Sequence, residues 1–109
     1  MATVAELMDL AKRKIAEDTG QAATVGAVYK FVLDGEGGGT YVINLKDDPG
    51  VTEGDGAAQC TIKMSAKDYV DMVEGRVSGQ RLFFTGRMKI KGDMRLAMKL
   101  EEFTSAMKA

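Results

Sequence analysis

The chain has no histidine and no tryptophan, and only one cysteine and one proline. Without histidine, the commonest general base and metal ligand is missing. The lone thiol, Cys60, has no imidazole to activate it and falls on the apolar face of an alternating run, where a buried inert thiol is expected. One cysteine closes no internal disulfide, which fits a reducing, intracellular and cytoplasmic setting. The net charge of −1, with no tryptophan and no aromatics interleaved among the bases, argues against nucleic acid as a partner. No apolar run is long enough to cross a bilayer. No basic-then-apolar leader opens the chain, so secretion is not expected.

Two weak motifs fall away in the same manner. Asp47, Asp48, Glu53 and Asp55 cluster near turns but lack the spacing of a calcium loop, so no metal is expected. The glycine-rich Gly35–Gly39 lacks the lysine of a phosphate-binding loop and leads into a strand, so it reads as a hairpin connection. No catalytic residue and no cofactor are expected.

What is present is a chain of ordinary globular composition, 45% hydrophobic and 28% charged over 109 residues. This fits one domain, residues 1–109. Thr3 to about Asp18 reads as an amphipathic helix with a Thr3–Glu6 capping box, stopped near Gly20. Val25–Asp34 alternates, with Ala27, Tyr29, Phe31 and Leu33 on one face. Thr40–Lys46 alternates again through Tyr41, Ile43 and Leu45, making a hairpin with the first strand. A short extended piece over Val51–Glu53 and a strand over Ala58–Met64 follow. Ser65 and Asp68 have capping spacing for a helix carrying Tyr69, Met72 and Val73, ended by Gly75. Ser78 caps a second short helix through Phe83 and Phe84. Arg87–Lys91 reads as a strand with Met88 and Ile90 inward and three bases outward. Asp93 caps a final helix with Leu96, Leu100, Phe103 and Met107 in one stripe and Met94, Ala97 and Met98 in the next. Arg95, Lys99 and Glu102 fall on its solvent side. The order gives an α+β domain, a mostly antiparallel sheet covered on one face by helices.

Two features carry alternatives. Between Arg76 and Lys99 there are seven bases and one acid, whereas Asp34–Asp55 holds six acids and one base. The basic run is either an edge strand kept soluble by charge or a docking face for an anionic membrane surface. The eight methionines, among them Met64, Met72, Met88, Met94 and Met98 on inward faces, are either core filling or a deformable binding surface.

Several stretches resemble the sterol carrier protein type two family, also called nonspecific lipid-transfer proteins. They are Val28-Tyr29-Lys30-Phe31, Tyr41–Lys46 and Cys60–Met64, and most specifically Phe83–Met94 and Leu96–Leu100. The resemblance covers about Thr24 to Phe103. It implies a five-stranded sheet covered by helices, with an apolar tunnel between them for fatty acids, fatty acyl-CoA, sterols or phospholipids. It implies a lipid carrier and not an enzyme, acting as a monomer that meets anionic membranes transiently. In that reading Ala27, Tyr29, Phe31, Leu33, Tyr41, Ile43 and Ile90 floor the tunnel. Tyr69, Met72, Phe83, Met88, Met94, Met98, Leu100 and Phe103 form its roof and mouth, and the methionines become lining. Asp93 stands where many family members have asparagine. The family also brings the peroxisome into view, although Met107-Lys108-Ala109 is not the Ser-Lys-Leu address. Two rivals stay open: a small lipid-acting enzyme using Asp93 or Tyr29 as acid or base, and an interaction domain whose apolar groove takes a partner helix.

Overall fold

The computed structural model describes residues 2–108, with side chains described through residue 103. Helix α1 spans Val4–Glu17. The Thr3 hydroxyl accepts from the Glu6 N–H at 3.2 Å, and the Thr3 N–H donates to Glu6 Oε1 at 3.0 Å, closing the expected capping box. Its stripe, Val4, Leu7, Met8 and Ile15, is buried. Gly20 does not end the helical region. Asp18 Oδ1 accepts from the Gln21 N–H at 3.0 Å and restarts the chain as a short helix, α2, over Thr19–Ala23.

Five strands follow: β1 Ala27–Asp34, β2 Gly39–Leu45, β3 Gly50–Glu53, β4 Cys60–Ser65 and, later, β5 Lys89–Gly92. Their order in the sheet is β3-β2-β1-β4-β5. All pairs are antiparallel except β1 with β4. The expected alternation holds on β1, where Ala27, Tyr29, Phe31 and Leu33 are buried while Val28, Lys30 and Val32 are half-buried on the other face. Tyr29 sits at the centre of the sheet, opposite Ile43 on one side and Cys60 on the other.

Helix α3 (Ala66–Val73) leaves β4 directly, with the Ser65 hydroxyl accepting from the Asp68 N–H at 3.0 Å. Helix α4 (Gly79–Phe84) is capped by Ser78 in the same manner. Helix α5 (Met94–Lys108) ends the fold, and Asp93 Oδ1 accepts from the Arg95 N–H at 2.9 Å. The helices gather over the face of the sheet that carries Tyr29, Phe31 and Ile62, and one apolar core forms between. Of the two stripes expected on α5, Leu100 is buried and Leu96, Ala97 and Phe103 pack against the core; Met107 lies outside the described side chains.

One sequence expectation is corrected here. Arg87 is not part of a strand with three outward bases. The Arg87 and Met88 N–H groups both donate to the Leu82 carbonyl, at 2.9 and 3.0 Å, so the chain is still turning off α4 and β5 begins only at Lys89. The cap expected from Ser65 and Asp68 forms through the Asp68 N–H, while the Asp68 carboxylate takes the Arg87 guanidinium through Nε at 3.1 Å and through Nη2. Lys99 is exposed, as expected of the solvent side, and its Nζ donates to the Val25 carbonyl at 3.2 Å.

Candidate lipid site

The residues expected to floor a tunnel are brought together. Ala27, Tyr29, Phe31, Leu33, Tyr41 and Ile43 all lie in the buried core, with Ile90 half-buried on β5. Above them Tyr69, Met88 and Leu100 are buried, and Met72 and Phe103 are half-buried. Three expected mouth residues are surface residues: Phe83 (36% exposed), Met94 (43%) and Met98 (60%).

Met98 lines a cleft. An open space of about 410 Å³ lies between α4 and α5, lined by Gln80 on one side and by Met98, Glu101 and Glu102 on the other. Phe83 and Phe84 stand three and four residues after Gln80, which puts them on the Gln80 side of α4. Met94 stands four residues before Met98 on α5. Met98 is the apolar side chain that lines the cleft, beside the polar Gln80, Glu101 and Glu102, and Phe83, Phe84 and Met94 are exposed elsewhere on the same two helices. Phe84, which the sequence reading left out of the site, is the most exposed of them at 82% and packs edge-on against Phe83 at 5.8 Å. Its signal was present in the spacing from Gln80. Beneath α4, a Cβ placed on Gly79 would lie 3.5 Å from Met72 Sδ and 3.8 Å from Met88 Cε, so two unbranched thioethers underlie the start of that helix.

A second cleft of about 200 Å³ lies at the opposite edge of the sheet. Ala5, Met8, Asp9 and Lys12 of α1 face Tyr41 of β2 and Val51 and Glu53 of β3 across it. Of the floor residues only Tyr41 lines either cleft; the others are closed upon one another in the core.

Polar groups inside this core are few and held. The Tyr29 hydroxyl donates to the Leu96 carbonyl at 2.5 Å, fastening the first turn of α5 to the centre of the sheet. Burial, with the nearby Cys60 second, pushes the Tyr29 phenol up to about 12. The Tyr69 hydroxyl donates to Met8 Sδ at 3.6 Å, and burial, with Tyr41 second, pushes its phenol to about 12 as well. The Cys60 thiol is raised by burial and then by Asp93. Asp93 moves the other way, lowered first by the Arg95 N–H and then by its guanidinium. Among the described residues no three acids or cysteines gather as a metal would require, and no helix is long and apolar enough to cross a membrane.

A five-stranded mixed sheet in the order β3-β2-β1-β4-β5, covered on one face by helices over one apolar core, defines the class of α+β domain. Residues 4–105 match the SCP-2 sterol transfer family, and the chain belongs to that family. It is similar to Hydroxysteroid dehydrogenase-like protein 2 of Bos taurus, 36% identical over 107 residues, which are 95% of this chain and 25% of that protein. The chain thus spans about a quarter of the length of the curated relatives it matches. The solution structure of the sterol carrier protein domain 2 of Helicoverpa armigera is 34% identical, with a TM-score of 0.76 over 93% of this chain and 84% of that one. Sterol Carrier Protein-2 from Aedes aegypti, solved in complex with palmitate, shares the fold at 21% identity and a TM-score of 0.75, covering 95% and 96% of the two chains.

Proposed function

We propose that this domain is a non-catalytic lipid carrier. It takes a fatty acid, fatty acyl-CoA, sterol or phospholipid between the sheet and its covering helices and passes it to membranes or to enzymes. The observation that carries the reading is the set of exposed apolar side chains on two neighbouring helices, Phe83 and Phe84 on α4 and Met94 and Met98 on α5, with Met98 lining the cleft between them. Exposed aromatic and thioether side chains gathered on two neighbouring helices favour an apolar guest over water. The fold of the Aedes aegypti palmitate complex supports the same reading.

In this mechanism α5 is the lid. Among the described residues the hydrogen bonds from Tyr29 to Leu96 and from Lys99 to Val25 help to hold it, and parting it from β4 and β5 uncovers the floor. The tail then lies over Phe31, Tyr41 and Ile43, with Met72 and Met88 repacking around it. Burying a sixteen-carbon tail gains about 12 kcal/mol at ~0.8 kcal/mol per CH₂. The gain is non-directional, so the carrier discriminates weakly among tails. Acid–base catalysis in the same core is disfavoured. Tyr29 is driven up to about 12 and Asp93 downward, both away from the neutral range a general base needs. Delivery uses the basic side of the fold, where Arg81, Lys89 and Lys91 are exposed near these apolar side chains in sequence, and an anionic bilayer is the proposed acceptor. An intracellular site of action belongs to the proposal, with Cys60 buried as a free thiol.

One set of measurements tests this. Mass spectrometry of the purified protein should find a co-purified lipid. Palmitate or palmitoyl-CoA at a hundred times its Kd should add about 2.7 kcal/mol of stability and raise Tm by roughly 10 °C. Met98→Asp, at an exposed position, should lose uptake with Tm of the free protein unchanged. Transfer from the loaded protein should be faster to phosphatidylserine vesicles than to neutral ones, and salt should erase the difference. A Tm indifferent to every lipid would end the proposal, and a lipid-free preparation would favour a partner helix in the cleft.

A further inference from the structure

The Tyr69 hydroxyl is poorly matched. Its side chain is 95% buried by residue exposure (5% exposed), its ring is fixed edge-on against Phe31 at 5.6 Å, and the acceptor it reaches is a thioether sulfur, Met8 Sδ at 3.6 Å. Thioethers are weak acceptors, so a phenol in this position gains by meeting an oxygen instead. Met8 is also a wall of the cleft between α1 and β3, and its unbranched side chain can swing clear without disturbing its helix. Tyr41 stands at the same cleft. Nothing in the carrier mechanism above uses either hydroxyl.

The place of this cleft in the sheet matters as much as its chemistry. It lies at the β3 edge, while the α4–α5 cleft lies beside the helix that covers β4 and β5. Four strand spacings of about 4.8 Å separate the two edges, ~19 Å, the scale of a lipid tail laid across the strands. A volume of about 200 Å³ holds the end of such a molecule and not the whole of it.

Charge at the rim selects the kind of end. Asp9 and Glu53 stand there against Lys12 alone, all three exposed. The balance is one negative charge, which opposes a carboxylate or phosphate head and is indifferent to a neutral one. We propose that the α1–β3 cleft is a second, polar-ended mouth of the lipid-binding core, where the Tyr69 hydroxyl donates to the hydroxyl oxygen of a neutral lipid alcohol, a sterol or long-chain alkanol. The proposal rests on the carrier reading and adds its headgroup class. On this view Met8 holds the phenol until an alcohol oxygen replaces its sulfur.

The test is equilibrium displacement of a fluorescent fatty-acid probe by 1-hexadecanol and by palmitate at pH 7.5, which share a tail and differ in the head. The full chain is used as wild type, Tyr69→Phe and the pair Asp9→Asn with Glu53→Gln. Wild type should prefer hexadecanol. Tyr69→Phe keeps the ring and its contact with Phe31, and should weaken hexadecanol about tenfold while leaving palmitate nearly unchanged. The surface pair Asp9→Asn with Glu53→Gln should strengthen palmitate several-fold, a result independent of any change in the core. Equal weakening of both ligands by Tyr69→Phe would make Tyr69 a structural residue and overturn the assignment, as would no weakening of hexadecanol. Tight binding of both ligands that ignores the head in all three proteins refutes this inference alone. Failure of wild type to bind either ligand refutes the carrier reading along with it.

Discussion

Asp68 is the buried charged side chain among the described residues, 5% exposed, and the Arg87 guanidinium closes over it from the turn after α4. Water reaches the arginine, whose side chain is 55% exposed, but not the carboxylate. Replacing Arg87 with methionine keeps the stem and strands the acid. Breaking a buried pair costs ~3–5 kcal/mol, and with one partner half-solvated about 2 kcal/mol is expected. Adding Asp68→Asn should return part of that loss, because the stranded charge is gone. Urea denaturation of the two single variants and the double one measures it, and a loss below about 0.5 kcal/mol for Arg87→Met would class the pair with ordinary surface ion pairs. This contact was illegible in the sequence. Nineteen residues separate the partners, and nothing local marks them. The caps at Thr3, Ser65 and Ser78 were legible, because each is a bond between residues three apart and needs no tertiary information.

Between β5 and α5 the chain passes Gly92, with φ +112° and directly opposite Cys60 on β4. A Cβ there would lie 2.5 Å from the Gln59 carbonyl oxygen, a backbone atom with no rotamer to escape into. Gly92→Ala should therefore cost ~1–3 kcal/mol of strain and pull the start of α5 off the sheet. Amide exchange should quicken through α5 while β1 and β2 keep their protection. Gly37→Ala is the control: its φ is also positive, at 77°, but open space surrounds it, so exchange in α5 should not change. Equal exchange in α5 for both variants would mean that this joint does not govern the lid. At this scale periodicity reveals long elements and misses short ones. Helix α2 has only Ala22 to bury, too little for a stripe, and Gly20 read as a stop because the restarting bond comes from Asp18. Alternation told which face each strand buries, but not which strand it neighbours. The central place of β1, parallel to β4, and the cleft walls assembled from α1 with β3 and from α4 with α5, are tertiary facts.

Taken whole, the molecule titrates at the two ends of the pH scale and not in the middle. With no histidine, no side chain changes charge near its usual value between the carboxylates and the thiol. Hydrogen bonds and bases lower Glu6, Asp47, Asp55, Asp71 and Asp93 in the fold. A lowered acid contributes stability above its unfolded value, and that stability is lost as pH falls through the folded value. The acid limb therefore starts near pH 4 and is shallow, since these carboxylates are solvated. Tyr29 and Tyr69 are raised to about 12 and Cys60 is raised too, chiefly by burial. A raised group contributes stability below its unfolded value and loses it as pH climbs to the folded one. The alkaline limb therefore starts near pH 9 with the thiol and steepens from about 10 to about 12 with the two phenols. Calorimetric Tm should be flat from about pH 5 to about pH 8. Tyr29→Phe with Tyr69→Phe is the discriminating variant: its Tm should start lower and then decline less between about pH 10 and about pH 12 than wild type. An alkaline limb of unchanged steepness in that double variant would mean the phenols are not held neutral by the core that the proposed lipid enters.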